Sequence, residues 1–150
     1  MATLRESSIT RLRTNTTIVS YLPAGSNGIV PSGQVAPNDA FPMVGVRMGA
    51  QEGGEEILPF TYPTFFVAVY HKTNVIHRPD WYLVDRILSL CREVLHGDVS
   101  LVAVDDDLTI FDTIWAGYRS DDRHDFVSGA DFRMDRFRSR AVLTLPNYHP

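Results

Sequence analysis

The run Phe65-Phe66-Val67-Ala68-Val69-Tyr70 is apolar at every position. Successive strand side chains point to opposite faces, so a strand of this kind must be covered on both sides. It predicts the centre of a sheet. The next segment predicts a helix to pack on such a sheet. Pro79 and Asp80 open it, with proline in the first turn, where its missing N–H costs nothing. Trp81, Val84, Leu88, Cys91 and Leu95 recur at spacings of three and four, and Ile87 and Val94 widen the stripe. Arg92 and His96 favour the dipole in the last turn, and Gly97 is the expected left-handed stop.

Around this pair the other elements are shorter. Thr3 and Glu6 have capping-box spacing at the head of a helix striped by Leu4, Ile9 and Leu12, with Arg5, Arg11 and Arg13 outside the stripe. Thr14 to Thr17 is poor helix material, because short polar side chains compete for backbone bonds. Ile18, Val19, Tyr21 and Leu22 then form an apolar patch that ends at Pro23. Gly25, Gly28, Pro31, Gly33 and Pro37 punctuate an irregular arm, with Ile29 and Val30 as anchors. Val44, Val46 and Met48 alternate with Gly45 and Arg47 as a half-buried strand. Residues 49–56, with Gly49, Gly53, Gly54, Glu52, Glu55 and Glu56, read as a mobile hairpin tip or loop.

After the long helix come a short strand from Leu101 to Val104, an aspartate turn and a long strand from Leu108 to Tyr118. In that long strand Ile110, Ile114 and Tyr118 interleave with Phe111 and Trp115. Ser120 to Gly129 reads as a broad polar hairpin loop. The last strand, from about Asp131 to Leu145, carries Phe137, Ala141, Leu143 and Leu145 on one face and Arg136, Arg138 and Arg140 on the other. The expected class is α+β: a mixed, mostly antiparallel sheet with one long amphipathic helix and an N-terminal helix packed on it. One domain is expected over 1–150, with irregular segments at about 23–41 and 49–60, and there is no internal repeat.

The chain of 150 residues is long enough to bury a core without metal or disulfide, and 44% apolar with 21% charged residues is ordinary globular composition. A net charge of −4 argues against nucleic-acid binding by bulk electrostatics. The charges are nevertheless segregated. Asp105, Asp106 and Asp107 form an acidic knot, while Arg133, Arg136, Arg138 and Arg140 crowd a basic stretch. Such a dipolar layout suits protein–protein docking. The single cysteine, Cys91, lies on the apolar helix stripe and reads as a buried hydrophobe. With no run near ~20 apolar residues and no apolar core at the N-terminus, a soluble cytosolic protein is expected, without a membrane partner.

Chemistry is sparsely signalled. His71, His77 and Asp80 are close in sequence but fall on a strand end and a loop, without the i, i+4 pairing of a zinc helix. The aspartate knot lacks the alternating ligands, glycine and closing glutamate of a calcium loop. No Gly-x-Ser-x-Gly elbow or Gly-Lys-Ser/Thr phosphate cradle is present, and Asp121-Asp122-Arg123-His124-Asp125 has the composition of an exposed loop. No catalytic residue, metal or cofactor is expected, and the chain is not expected to be an enzyme. The arginine stripe is more pointed: alternate arginines line a sheet face at ~6.8 Å intervals. They pair with carboxylates on the neighbouring strand such as Asp112, or stay solvated, or meet acidic groups of another subunit, or face a ring lumen through which DNA passes.

Across nearly its whole length the chain resembles the tail-terminator (minor tail, tail-completion) family of long-tailed bacteriophages. The resemblance is carried by the opening helix Leu4-Arg5-Glu6 to Leu12, the linker Ile29-Val30-Pro31 and the strand Phe41-Pro42-Met43-Val44-Gly45-Val46. It continues through Phe66-Val67-Ala68-Val69-Tyr70-His71, the helix Leu83 to Leu95-His96-Gly97, the Trp115 strand and Phe132-Arg133-Met134-Asp135-Arg136-Phe137. The resemblance implies a virion protein assembled in the host cytoplasm and placed at the tail–neck junction. There it forms a homohexameric ring that caps the tail tube, stops its polymerisation and meets the head's connector or completion proteins. No cofactor is implied, and DNA is met only by passage through the lumen. A ring needs a heterologous contact, for which Asp105, Asp106 and Asp107 against Arg136, Arg138 and Arg140 are the expected patches. Another neck component, such as a head-completion or connector-adaptor protein, is the nearer alternative. A small hydrolase or nuclease using His71, His77 or His124 is the more distant one.

Overall fold

The computed structural model describes residues 2–50, 52–53, 60–72, 79–119 and 122–144. Its first elements are helix α1 (Leu4–Arg13), helix α2 (Thr16–Ser20) and strands β1 (Ile29–Pro31), β2 (Met43–Met48), β3 (Glu52–Gly53), β4 (Phe60–Tyr62) and β5 (Thr64–His71). Helix α3 (Trp81–Leu95) and strands β6 (Leu108–Arg119), β7 (Arg123–Asp125) and β8 (Ala130–Leu143) complete it. The architecture is α+β. Strand order runs β1-β2-β5-β8, with β6 and β7 paired to the far side of β8 and β4 and β3 continuing the β5 side. Only β1 and β2 pair in parallel; the other pairings among the described residues are antiparallel.

β5 sits in the middle, as its unbroken apolar run demands, between β2 and β8. Its Phe65, Val67 and Val69 face the helices and join the stripes of α1 and α3 in the main core. Each such side chain taken out of water contributes about 1.5–3 kcal/mol. Asp80 is the N-cap of α3, accepting from the Leu83 N–H at 3.1 Å, and Gly97 closes the helix with a φ of 78°. The capping box of α1 is formed, with Thr3 accepting from Glu6 N–H at 3.1 Å and Glu6 accepting from Thr3 N–H at 3.4 Å.

The other face of β5 carries Ala68 and Tyr70, covered by the arm that precedes β2. Val35, Val30 and Phe41 from that arm pack with Met43, Ala130 and Met134 into a second core. The irregular segment is thus partly a lid on the sheet, and it contains a strand, β1. Gly45 makes the lid possible. A Cβ there would lie 2.7 Å from both Ser32 Oγ and the Tyr70 ring, so only glycine lets the 32–34 turn approach the sheet.

Five local expectations are corrected. Thr16–Ser20 is helical, because Asn15 caps it by accepting from the Ile18 N–H at 2.9 Å; the short polar side chains start a helix there rather than prevent one. Residues 101–104 make no strand beyond an Ala103–Leu108 bridge. The stretch at 120–129 contains strand β7, and Leu143 at the end of β8 is exposed rather than core-facing. Glu52 and Gly53 are in a strand paired to β4, not a loop tip, while residues 54–59 lie outside the described residues, as does Leu145.

Candidate assembly surfaces

Among the described residues the arm covers the first half of β8 on the face away from the helices. Beyond Met134 the same row continues as Arg136, Arg138 and Arg140, opposite Phe66, Thr64 and Asp112 on the flanking strands. The Arg138 guanidinium lies 5.2 Å from the Tyr62 ring centre, and Arg140 sits 5.7 and 5.8 Å from Phe60 and Phe111. A bulge at Phe111 shifts the β6 register and brings Asp112 opposite Arg140. Arg140 donates to Asp112 at 3.3 Å, so the sequence-based pairing with the neighbouring strand holds for this arginine. Both partners are well exposed, and the pair adds little stability. Phe111 and Ile114 are open to solvent beside it. Arginine, aromatic and aliphatic side chains mixed on one sheet face make the composition of interface centres.

Arg133 does not belong to this row. It faces α3, where it bonds Asp85 at 2.7 Å and Asp122 at 2.5 Å with the Trp81 ring 4.4 Å away. The bond to Asp122, then that to Asp85, holds its pKa above the ordinary value. Asp135, fully buried, lies 3.9 Å from Arg92, whose guanidinium covers the Trp115 ring at 4.1 Å. The neighbouring Cys91 thiol is buried as expected, and burial first, then the Asp135 charge, push its pKa far up. It is not a nucleophile at neutral pH.

The acidic knot ends a 3₁₀ turn at one edge of the sheet, with all three aspartates exposed. Asp106 has a task within the chain: its carboxylate accepts from the Leu4 N–H at 2.9 Å, at the head of α1. Asp107 takes a left-handed φ of 53°. The Asp105–Asp107 turn and the Arg136–Arg140 row are not in contact with each other by any observed bond among the described residues.

No family model and no curated protein matches the chain. A solved structure does. The fold is similar to that of a chain in the virion of a native gene transfer agent (GTA) particle. The TM-score is 0.63 over 93% of this chain and 95% of that one, at 13% identity. At that identity the similarity to the GTA virion chain is one of fold.

The histidines are scattered in role. His77 lies outside the described residues. His71 and His124 flank Asp131 on adjacent strands, and His124 Nδ1 is 2.6 Å from the Asp131 carboxylate. Among the described residues no three His, Cys, Asp or Glu side chains are placed to hold a metal, and no helix is long and apolar enough to cross a membrane. His71 accepts from the Lys72 N–H at 3.0 Å, and burial lowers its pKa below 6.5 against a smaller opposing pull from Asp80. A lowered imidazole pKa means that the unfolded chain binds the proton more tightly. The stability it contributes is present above pH 6.5 and lost as pH falls through the folded value. We therefore expect the Tm drop between about pH 7.5 and about pH 5 to be smaller in His71→Gln than in the wild type. Equal drops in thermal scans would remove His71 from the acid response.

Two features of these surfaces escaped sequence reading. The aromatic partners Tyr62 and Phe60 come from β4, whose three residues carry too little pattern to signal a strand. Phe126 and Val127, in the supposed polar loop, are almost fully exposed.

Proposed function

We propose that this chain is a structural virion protein of the tail-terminator type, without catalytic activity. In this reading copies of it close into a hexameric ring on the tail tube, end its polymerisation and present a surface to the head's connector proteins. The observation that carries the reading is the fold similarity to a GTA virion chain over 93% of this chain and 95% of the other. The family resemblance in the order of elements supports it, as does the arginine–aromatic composition of one face of β8. We assign that face to the ring lumen. Arg140 already holds Asp112 and Arg138 lies on Tyr62, so the row is anchored in the chain and presents a fixed surface to the DNA path. The acidic Asp105–Asp107 turn is then left for contacts between copies.

The test is tube length. Tail tube protein polymerised with a small molar share of this chain is expected to give shorter tubes than alone, with a ring at one end in negative-stain images. Unchanged length distributions would remove the capping role. Arg138→Glu is expected to leave tube capping unchanged while lowering DNA delivery by assembled particles. Unchanged delivery would take the arginine row out of the lumen.

A further inference from the structure

The turn between β7 and β8 holds two apolar side chains in water. Phe126 is 91% exposed and Val127 76%. The turn beneath them is braced. The Asp125 carboxylate accepts from the Val127 and Ser128 N–H groups at 3.3 Å each and from the Ser128 hydroxyl at 2.6 Å. Gly129 donates to the Asp125 carbonyl at 2.8 Å, and Lys72 Nζ donates to that of Ser128 at 3.4 Å. The His124 ring stands edge-on against Phe126, with centroids 5.0 Å apart. Adjacent apolar groups presented on a fixed turn mark a contact site.

An apolar groove that fits them lies elsewhere on the chain. It has a volume of about 410 Å3, that of on the order of a dozen waters, and is lined by Leu101, Val102, Val104, Leu108 and Ile110. Val102 and Val104 are half-exposed within it. Asp107 lines the groove, and Asp105 and Asp106, the latter bonded to the Leu4 N–H, precede it in the chain. Two cations, Arg123 and Lys72, stand near the knob in the chain and the sheet. Among the described residues Arg123 and Lys72 have no carboxylate partner, while Asp122, Asp125 and Asp131 are engaged by Arg133, the turn and His124. Knob and groove stand at opposite ends of β8. Its 14 residues separate them by on the order of 40 Å, so one chain cannot join its own two patches.

We propose that the Phe126–Val127 knob of one copy seats in the Val102–Val104–Ile110 groove of the next, with Arg123 and Lys72 facing the Asp105–Asp107 turn. Two different patches meeting in this way join copies head to tail, the kind of contact that closes into a ring. The proposal rests on the reading of the chain as a ring-forming protein, and it names the surfaces that make the ring.

Two variants at exposed positions test it in the full chain: Phe126→Asp spoils the knob, and Val104→Arg blocks the groove. Circular dichroism establishes that each is folded, and sedimentation velocity over a concentration series reads assembly. Each variant alone is expected to lose ring formation, with the contact weakened at least about tenfold. Mixed together they are expected to form dimers and nothing larger, because one intact knob meets one intact groove and both remaining patches are spoiled. Folded variants that assemble like the wild type would overturn the knob contact and leave the capping reading standing. A mixture that stays monomeric would overturn it too, since knob and groove would not be partners. A wild-type chain that remains monomeric at every concentration would also overturn it, and the tube-length assay then decides the capping reading separately.

Discussion

Phe137→Ala is expected to destabilise the chain by about 3–5 kcal/mol. Phe137 is fully buried in the middle of β8, opposite Phe65 on β5 and Trp115 on β6. Its ring stacks on that of Phe65, with centroids 5.4 Å apart and planes 14° from parallel. Truncation removes the transfer energy of the ring and leaves a cavity walled by three hydrogen-bonded strands, which cannot collapse without breaking the ladder. Phe137→Leu keeps most of the volume and is expected to cost well under half as much. Urea unfolding of both variants reads the difference. A loss below about 1 kcal/mol for the alanine variant would mean that this site is not closed as described.

The second large effect is expected at Arg92. Asp135 is fully buried and Arg92 at 3.9 Å is one of the groups that face its carboxylate, while the same guanidinium covers Trp115. Arg92→Met retains an apolar stem over the indole and removes one positive charge that faces Asp135. A fully buried pair broken on one side costs about 3–5 kcal/mol. The Arg92 side chain is 32% exposed, so solvent screens part of the attraction and about 2 kcal/mol is the expected loss. Asp135→Asn in the same background is expected to recover much of it, because the buried charge is gone. If the double variant is no more stable than Arg92→Met, the loss reflects packing on Trp115 instead.

Where pattern was dense, the fold was legible. The β5 run announced a strand with two covered faces, and the α3 stripe with its glycine stop announced the helix that covers one of them. The second cover was harder to read. Its segment is broken by glycine and proline, and β1 is three residues long, too short for periodicity to register. Gly45 carried the missing signal, since a glycine inside a strand pattern marks close backbone approach. Helix α2 was obscured for a different reason: Asn15, Thr16 and Thr17 have low helix propensity, yet the first of them is a good cap.

The candidate surfaces divide in the same way. Alternation alone placed Arg136, Arg138 and Arg140 on one face. It also separates Arg133 from that row by parity, although crowding in the sequence suggested one basic cluster. Phe126 and Val127 were hidden among charged neighbours, and their exposure follows from the bonds of Asp125 and Ser128 that shape the turn. Long-range relations such as the two ends of β8 carrying a knob and a groove depend on the assembled sheet and have no local signature.

The most direct test of the capping role is electron microscopy of particles assembled with this gene disrupted. The predicted result is overlong or ragged tails beside full heads that carry no tail. Tails of normal length that fail to join heads would contradict capping and move the protein to the head side of the neck, and intact infectious particles would contradict a structural role altogether.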